Sequence, residues 1–226
     1  MHRPGWFATI LVGVRLESTE DNDDPTALED NDDAHPTALE EPSHRSNQRM
    51  HTVNEVLNTE RAYNLDLGHL IAHKSALAGR ADNVLFHPSL ESLVPLHAEL
   101  LRKLEAATSD ADERSVETAT AVGRALAKVV PYLKLYAGYC VNYPQALEVL
   151  AGLRGQPAAA STLSGVAAAR PQADSLESLL IKPVQRLCKY PLFLRELLKL
   201  VPADQPEHAR RALQIPRCTR RQCHPR

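Results

Sequence analysis

Between His51 and Leu198 apolar residues return every three or four positions, and no apolar–polar alternation persists long enough to read as a strand. That period lines up side chains on one face of a helix and leaves a sheet with no face to bury. The chain therefore reads as all-α. Val53, Val56, Leu57, Tyr63, Leu67, Leu70 and Ile71 mark a first helix, with Thr52 and Glu55 in capping-box form at its start. A second begins at Ser89 behind Pro88 and carries Leu90, Leu93, Val94, His97, Leu100, Leu101 and Leu104 on one stripe. "TSDADERS" supplies its exit and the next cap. A third spans about residues 116–150, where Pro131 and Pro144 should bend or interrupt it. The Gly- and Pro-punctuated residues 151–173 read as a loop with at most one weak helical turn.

The ends have a different texture. Residues 21–29, "DNDDPTALE", recur at 30–40 as "DNDDAHPTALE", a polar unit that cannot bury a core. Residues 1–48 are accordingly expected to form a disordered or weakly structured acidic tail. Glu17–Glu41 holds eleven acids and no Lys or Arg, so the net charge of −2 hides a positive remainder. Four scattered cysteines form neither a disulfide framework nor a zinc pattern, which fits reduced thiols and a cytoplasmic protein. Phosphate loops, HExxH, GxSxG and Cys–His pairs are absent from the sequence, which disfavours a covalent enzyme; no cofactor or metal is expected.

The last helix breaks a local rule. "IKPVQRLCKYP" (Ile181–Pro191) places two prolines inside an amphipathic stretch, although an interior proline costs about 3 kcal/mol. Pro183 could open a new helix without penalty, but Pro191 would remain interior. Projected at 100° per residue, Leu176, Leu180, Val184, Leu187, Pro191, Leu194 and Leu198 share one side. Lys182, Arg186, Lys189 and Phe193 fall opposite, near Gln185. Violations with the apolar pattern intact concentrate at functional or strained positions.

"LLIKPVQRLCKYPLFLRELLK" (Leu179–Lys199) resembles the third region of the Dbl homology (DH) domain, the module of Rho-family guanine nucleotide exchange factors. "VNEVLNTERAYNLDL" (Val53–Leu67) is similar to its first region, and "VVPYLKLYAGYCVNYPQAL" (Val129–Leu147) to its second. The likeness covers about residues 52–201. It implies an elongated helical bundle over residues 49–205 that grips the switch segments of a Rho-, Rac- or Cdc-type small GTPase and lets GDP leave. By that resemblance Glu55 bonds the first switch and Lys189 contacts the second. Gln185, Arg186 and Lys182 belong to the same GTPase-binding set, with Gln185 and Arg186 shaping its surface. Pro183, Tyr190 and Pro191 are structural. Glu60 falls on the apolar face of the first helix and needs a partner, Arg186 being one candidate. His97 reads as a packed core histidine, and Tyr136, Tyr139 and Tyr143 as core aromatics.

After "LLKLVPADQPEH" the family pattern continues into a long helix, whereas this chain reads "ARRALQIPRCTRRQCHPR", with Pro216 and Pro225 against helix. Residues 206–226 are thus expected to be a divergent basic tail on a domain truncated at its C-terminal helix. Arg217, Arg220, Arg221 and Arg226 allow weak peripheral contact with acidic lipid; nucleic acid is not expected as a partner. Two functions stay open: an exchange factor, and a non-catalytic helical module that binds a GTPase without speeding exchange.

Overall fold

A computed structural model describes residues 40–78, 83–109, 111–169 and 174–201. The repeated acidic unit and the basic tail lie outside the described residues. Those described form α1 (Glu40–Ala76), α2 (Ser89–Thr108), α3 (Val116–Ala127), a 3₁₀ segment (Val130–Leu135), α4 (Tyr136–Arg154), α5 (Pro157–Ala169) and α6 (Leu176–Leu200). Among the described residues there is no strand.

Helices α1 and α6 are the long antiparallel pair around which the others pack. Their register is pinned at three levels: Arg49 Nη1 to the Leu200 carbonyl (3.5 Å), Glu60 to Arg186, and Asp66 to Lys182 (3.9 Å). At 1.5 Å per residue the 37 residues of α1 run about 55 Å, which makes the bundle elongated, as expected. Its apolar interior divides into two cores. One takes Tyr63, Leu67, Leu70, Leu90, Leu93, Tyr136, Cys140, Leu180 and Leu187 with their neighbours. The other takes Val53, Val56, Leu57, Leu100, Leu104, Val122, Leu126, Tyr190, Phe193 and Leu197.

Local chemistry sets the helix ends. Ser115 stands in extended backbone and its hydroxyl accepts from the Thr118 amide at 3.0 Å, closing a donor that the first turn of α3 leaves open. Ser175 does the same for Ser178 at 3.3 Å ahead of α6. Pro131 sits at the head of the 3₁₀ segment, where a missing amide hydrogen costs nothing, and splits the third expected helix into α3 and α4. Pro144 stays inside α4.

Three expectations are corrected. The first helix does not start at Thr52: it runs back to Glu40, so the capping box lies within it and the boundary at residue 48 falls inside a helix. Arg49 fastens this extension, its Nε donating to the Arg114 carbonyl at 2.6 Å. Residues 43–51 are mostly exposed, and an exposed turn leaves no apolar period to detect. The stretch 151–173 contains a full helix, α5, built on alanine, the strongest helix former. Its buried face amounts to Ala159, with Leu163 packed against the core, too little to register as a stripe. The third correction concerns the outward face of α6 and belongs to the site.

Candidate functional site

Helix α6 is enclosed by α1, α3 and α4, so more than one side of it is covered. Leu179, Pro183, Arg186, Tyr190, Phe193, Leu197 and Leu200 form a buried stripe at helical spacing, joined by Leu176, Leu180, Leu187 and Leu194. Arg186 and Phe193, which the helical projection put outside, are 4% and 5% exposed. The projection assumed one wet side as wide as the apolar one; a helix in mid-bundle keeps only a narrow strip. That strip holds Gln185, Cys188, Lys189, Leu192, Arg195 and Glu196.

Arg186 can enter the interior because it meets its counter-charge there. Its Nε donates to Glu60 Oε2 at 3.1 Å, its Nη2 donates to the same oxygen, and Nη1 donates to Thr59 Oγ1 at 2.8 Å. Its guanidinium lies 4.9 Å from the Tyr190 ring centre and 5.4 Å from that of Phe193. Glu60 is 0% exposed. Burial alone would push its carboxyl up, but the hydrogen bond from His97 and the charge of Arg186 hold it below the ordinary carboxylate value. The ion pair expected for Glu60 is therefore present, and with Arg186.

Glu55 is exposed on α1, and its backbone carbonyl accepts from Thr59 Oγ1 at 2.7 Å. Lys189 is exposed on α6, one turn beyond Arg186. Since Arg186 grips Thr59, both residues stand one turn from a single contact that locks the two helices. Gln185 is exposed beside them. Lys182 is half-buried, its Nζ 2.8 Å from Asp174 Oδ2 and 3.9 Å from Asp66 Oδ2, so its charge ties the start of α6 to α1. The hydrogen bond with Asp174 pushes the Lys182 ammonium up. The assigned set thus divides: Glu55, Gln185 and Lys189 are presented, whereas Lys182 and Arg186 are engaged within the fold.

Of the residues read as structural, Glu60 and Tyr190 are buried. Pro183 is buried and Pro191 half-buried, both inside α6. Tyr139 Oη donates to the Leu180 carbonyl at 2.8 Å, tying α4 to α6 one turn before Pro183. Tyr190 packs its hydroxyl 3.1 Å from Glu60 Oε2 and 3.1 Å from His97 Nδ1. Burial pushes the Cys188 thiol up, so it stays protonated at neutral pH.

Two features escaped the sequence reading. His97 is a core residue but not an inert one: its Nδ1 lies 2.8 Å from Glu60 Oε1 and its Nε2 2.6 Å from Tyr136 Oη. The carboxylate on the apolar face of α1 was the available signal, since a buried acid seldom stops at one partner. Leu192 is 52% exposed beside Lys189. The signal there was a leucine spaced with the cations and not with the apolar stripe.

An exposed strip of acidic and basic side chains thus runs across two locked helices of an elongated all-α bundle. Residues 52–223 match the RhoGEF domain family, and the chain belongs to that family. The matched range covers most of the segment after residue 205. Over 168 residues the chain is 32% identical to the myosin-M heavy chain of Dictyostelium discoideum, covering 70% of this chain and 9% of that protein. It is 31% identical over 178 residues to the phosphatidylinositol 3,4,5-trisphosphate-dependent Rac exchanger 1 protein of Mus musculus, covering 71% and 10%. Human Rho guanine nucleotide exchange factor 4 is 26% identical over 208 residues, covering 90% and 30%. The chain thus spans a minor part of these relatives. The fold matches the apo structure of the activated truncation of Vav1 with a TM-score of 0.63 at 23% identity, covering 75% of this chain and 44% of that one.

Proposed function

We propose that the chain promotes GDP release from a Rho-, Rac- or Cdc-type GTPase by binding its switch regions through Glu55, Gln185 and Lys189. The observation that carries this reading is the joint exposure of these residues on helices locked one turn away by Arg186 and Thr59. Lys182 and Arg186 shape the surface from beneath. The chain performs no covalent step; it favours the nucleotide-free GTPase over the loaded one.

A thousandfold faster release needs about 4 kcal/mol of barrier lowering. An exposed charge pair supplies about 0.2–1 kcal/mol, so Glu55 and Lys189 act within a broader interface. Leu192 adds apolar area next to Lys189, worth about 25 cal/mol per Å² covered. No described helix is long and apolar enough to cross a membrane. The arginines of the basic tail add a route to acidic lipid, checked by co-sedimentation with vesicles.

The test is release of a fluorescent GDP analogue from a panel of Rho-, Rac- and Cdc-type GTPases. Acceleration of any of them supports the reading. No acceleration by folded protein would leave the non-catalytic binding module.

A further inference from the structure

Glu60, His97 and Arg186 form a buried polar layer between the two apolar cores, both of which Leu96 and Leu133 also touch. On α1 Glu60 lies between Leu57 of one core and Tyr63 of the other; on α2 His97 lies between Leu93 and Leu100. On α6 Arg186 precedes Leu187 of one and Tyr190 of the other. Groups this deep need partners for every polar atom. Their protons can be counted. Glu60 faces Arg186 Nε at 3.1 Å, Tyr190 Oη at 3.1 Å and His97 Nδ1 at 2.8 Å. An ionised carboxylate only accepts, so His97 Nδ1 bears the hydrogen. His97 Nε2 faces the Tyr136 hydroxyl at 2.6 Å, and that oxygen lies 3.2 Å from the Tyr63 hydroxyl. With a neutral ring the direction is set throughout: Tyr63 donates to Tyr136, Tyr136 to His97, and His97 to Glu60. Glu60 and Arg186 then cancel. A cationic ring would turn both hydroxyls and leave a net positive charge in a layer where His97 and Glu60 are 0% exposed.

We propose that His97 and Tyr136 are positioning residues for exchange: a neutral His97 held by Tyr136 aims Glu60, Glu60 aims Arg186, and Arg186 sets the register of Lys189 against Glu55. This rests on the functional reading above. Apolar side chains tolerate a small slide or rotation of one helix on another; directional bonds do not. The relay stands behind both presenting helices, with α2 and α4 as its base. Its last bond, Arg186 Nη1 to Thr59 Oγ1 at 2.8 Å, lies one turn from each contact residue.

Two variants on α4 separate positioning from packing. Tyr136→Phe removes the donor to His97. Tyr139→Phe removes an equally buried hydroxyl that bonds the Leu180 carbonyl at 2.8 Å, outside the relay. With folded protein at matched temperature, Tyr136→Phe should slow release of the fluorescent GDP analogue about tenfold, while Tyr139→Phe stays within about twofold. Equal slowing by both, or an unchanged rate in Tyr136→Phe, would overturn the positioning role. Nitrogen-15 NMR of labelled histidine gives a readout independent of exchange. A neutral Nδ1–H ring at pH 7 that loses this tautomer preference in Tyr136→Phe supports the relay; an Nε2–H or cationic ring in the unaltered chain sinks it. If the unaltered chain accelerates no GTPase, the functional reading fails and the tautomer alone judges the relay.

Discussion

On the inner edge of α6 Arg186 is 4% exposed and bonded to Glu60, Thr59 and Tyr190, whereas on the outer edge Lys189, one turn on, faces solvent. Both are cations from the same short stretch of sequence. They differ in what their removal leaves behind. Taking away the guanidinium strands an ionised carboxylate between two apolar cores; taking away the ammonium uncovers water. One helix therefore divides its charges between holding the bundle together and presenting a surface, and the two duties should come apart under mutation.

The largest effect on stability is expected from Arg186→Ala, a loss of about 3–5 kcal/mol in chemical denaturation, because a buried partner is left unpaired. A loss under about 1 kcal/mol would mean that the inner edge is not structural. Next comes pH. Glu60 is held below its ordinary value of 4.5, so it contributes stability that is fully present above that value and lost as pH falls through its depressed value in the folded state. The Glu60 contribution to the denaturation midpoint should be flat from neutral pH to about 5 and decline below it. Glu60→Gln should shrink that acid limb, and an unchanged limb would assign it to other carboxylates.

The outer edge should show the reverse pattern. Lys189→Ala is expected to change stability by under about 0.5 kcal/mol while slowing exchange at least tenfold, since truncating one partner of a charge pair that an interface buries costs about 2–5 kcal/mol. Lost helix content in circular dichroism would instead make Lys189 structural and erase the contrast between the edges. The smallest effect is expected from Leu192→Ala: stability unchanged within about 0.5 kcal/mol and exchange reduced severalfold through lost apolar contact. An exchange rate equal to that of the unaltered chain would confine the surface to its charged residues.

Much of this was legible before any coordinates. The stripe from Leu90 to Leu104 located α2, and Pro88 and Ser115 marked boundaries that the structure keeps. A carboxylate at position 60, on the apolar face of α1, announced a buried partner, and Arg186 was a named candidate. The Lys-Pro…Lys-Tyr-Pro stretch pointed to the family. What stayed hidden shares one cause. The first turns of α1 and nearly all of α5 bury little apolar area, so neither leaves a period in the sequence, though backbone bonding and alanine propensity make both helical.

By itself the sequence determined the class of the fold, the family and the residue types at the candidate surface, because helical period and motif spacing are local properties of a chain. The tertiary structure alone decided which of those residues look outward. Arg186 and Lys189 are indistinguishable as cations on an isolated helix. They separate only when α1, α3 and α4 close around α6, with Glu60 of α1 and His97 of α2 on one side of it. Burial is set by neighbours far apart in the chain, and a buried charge is tolerable only where such a neighbour supplies the opposite one.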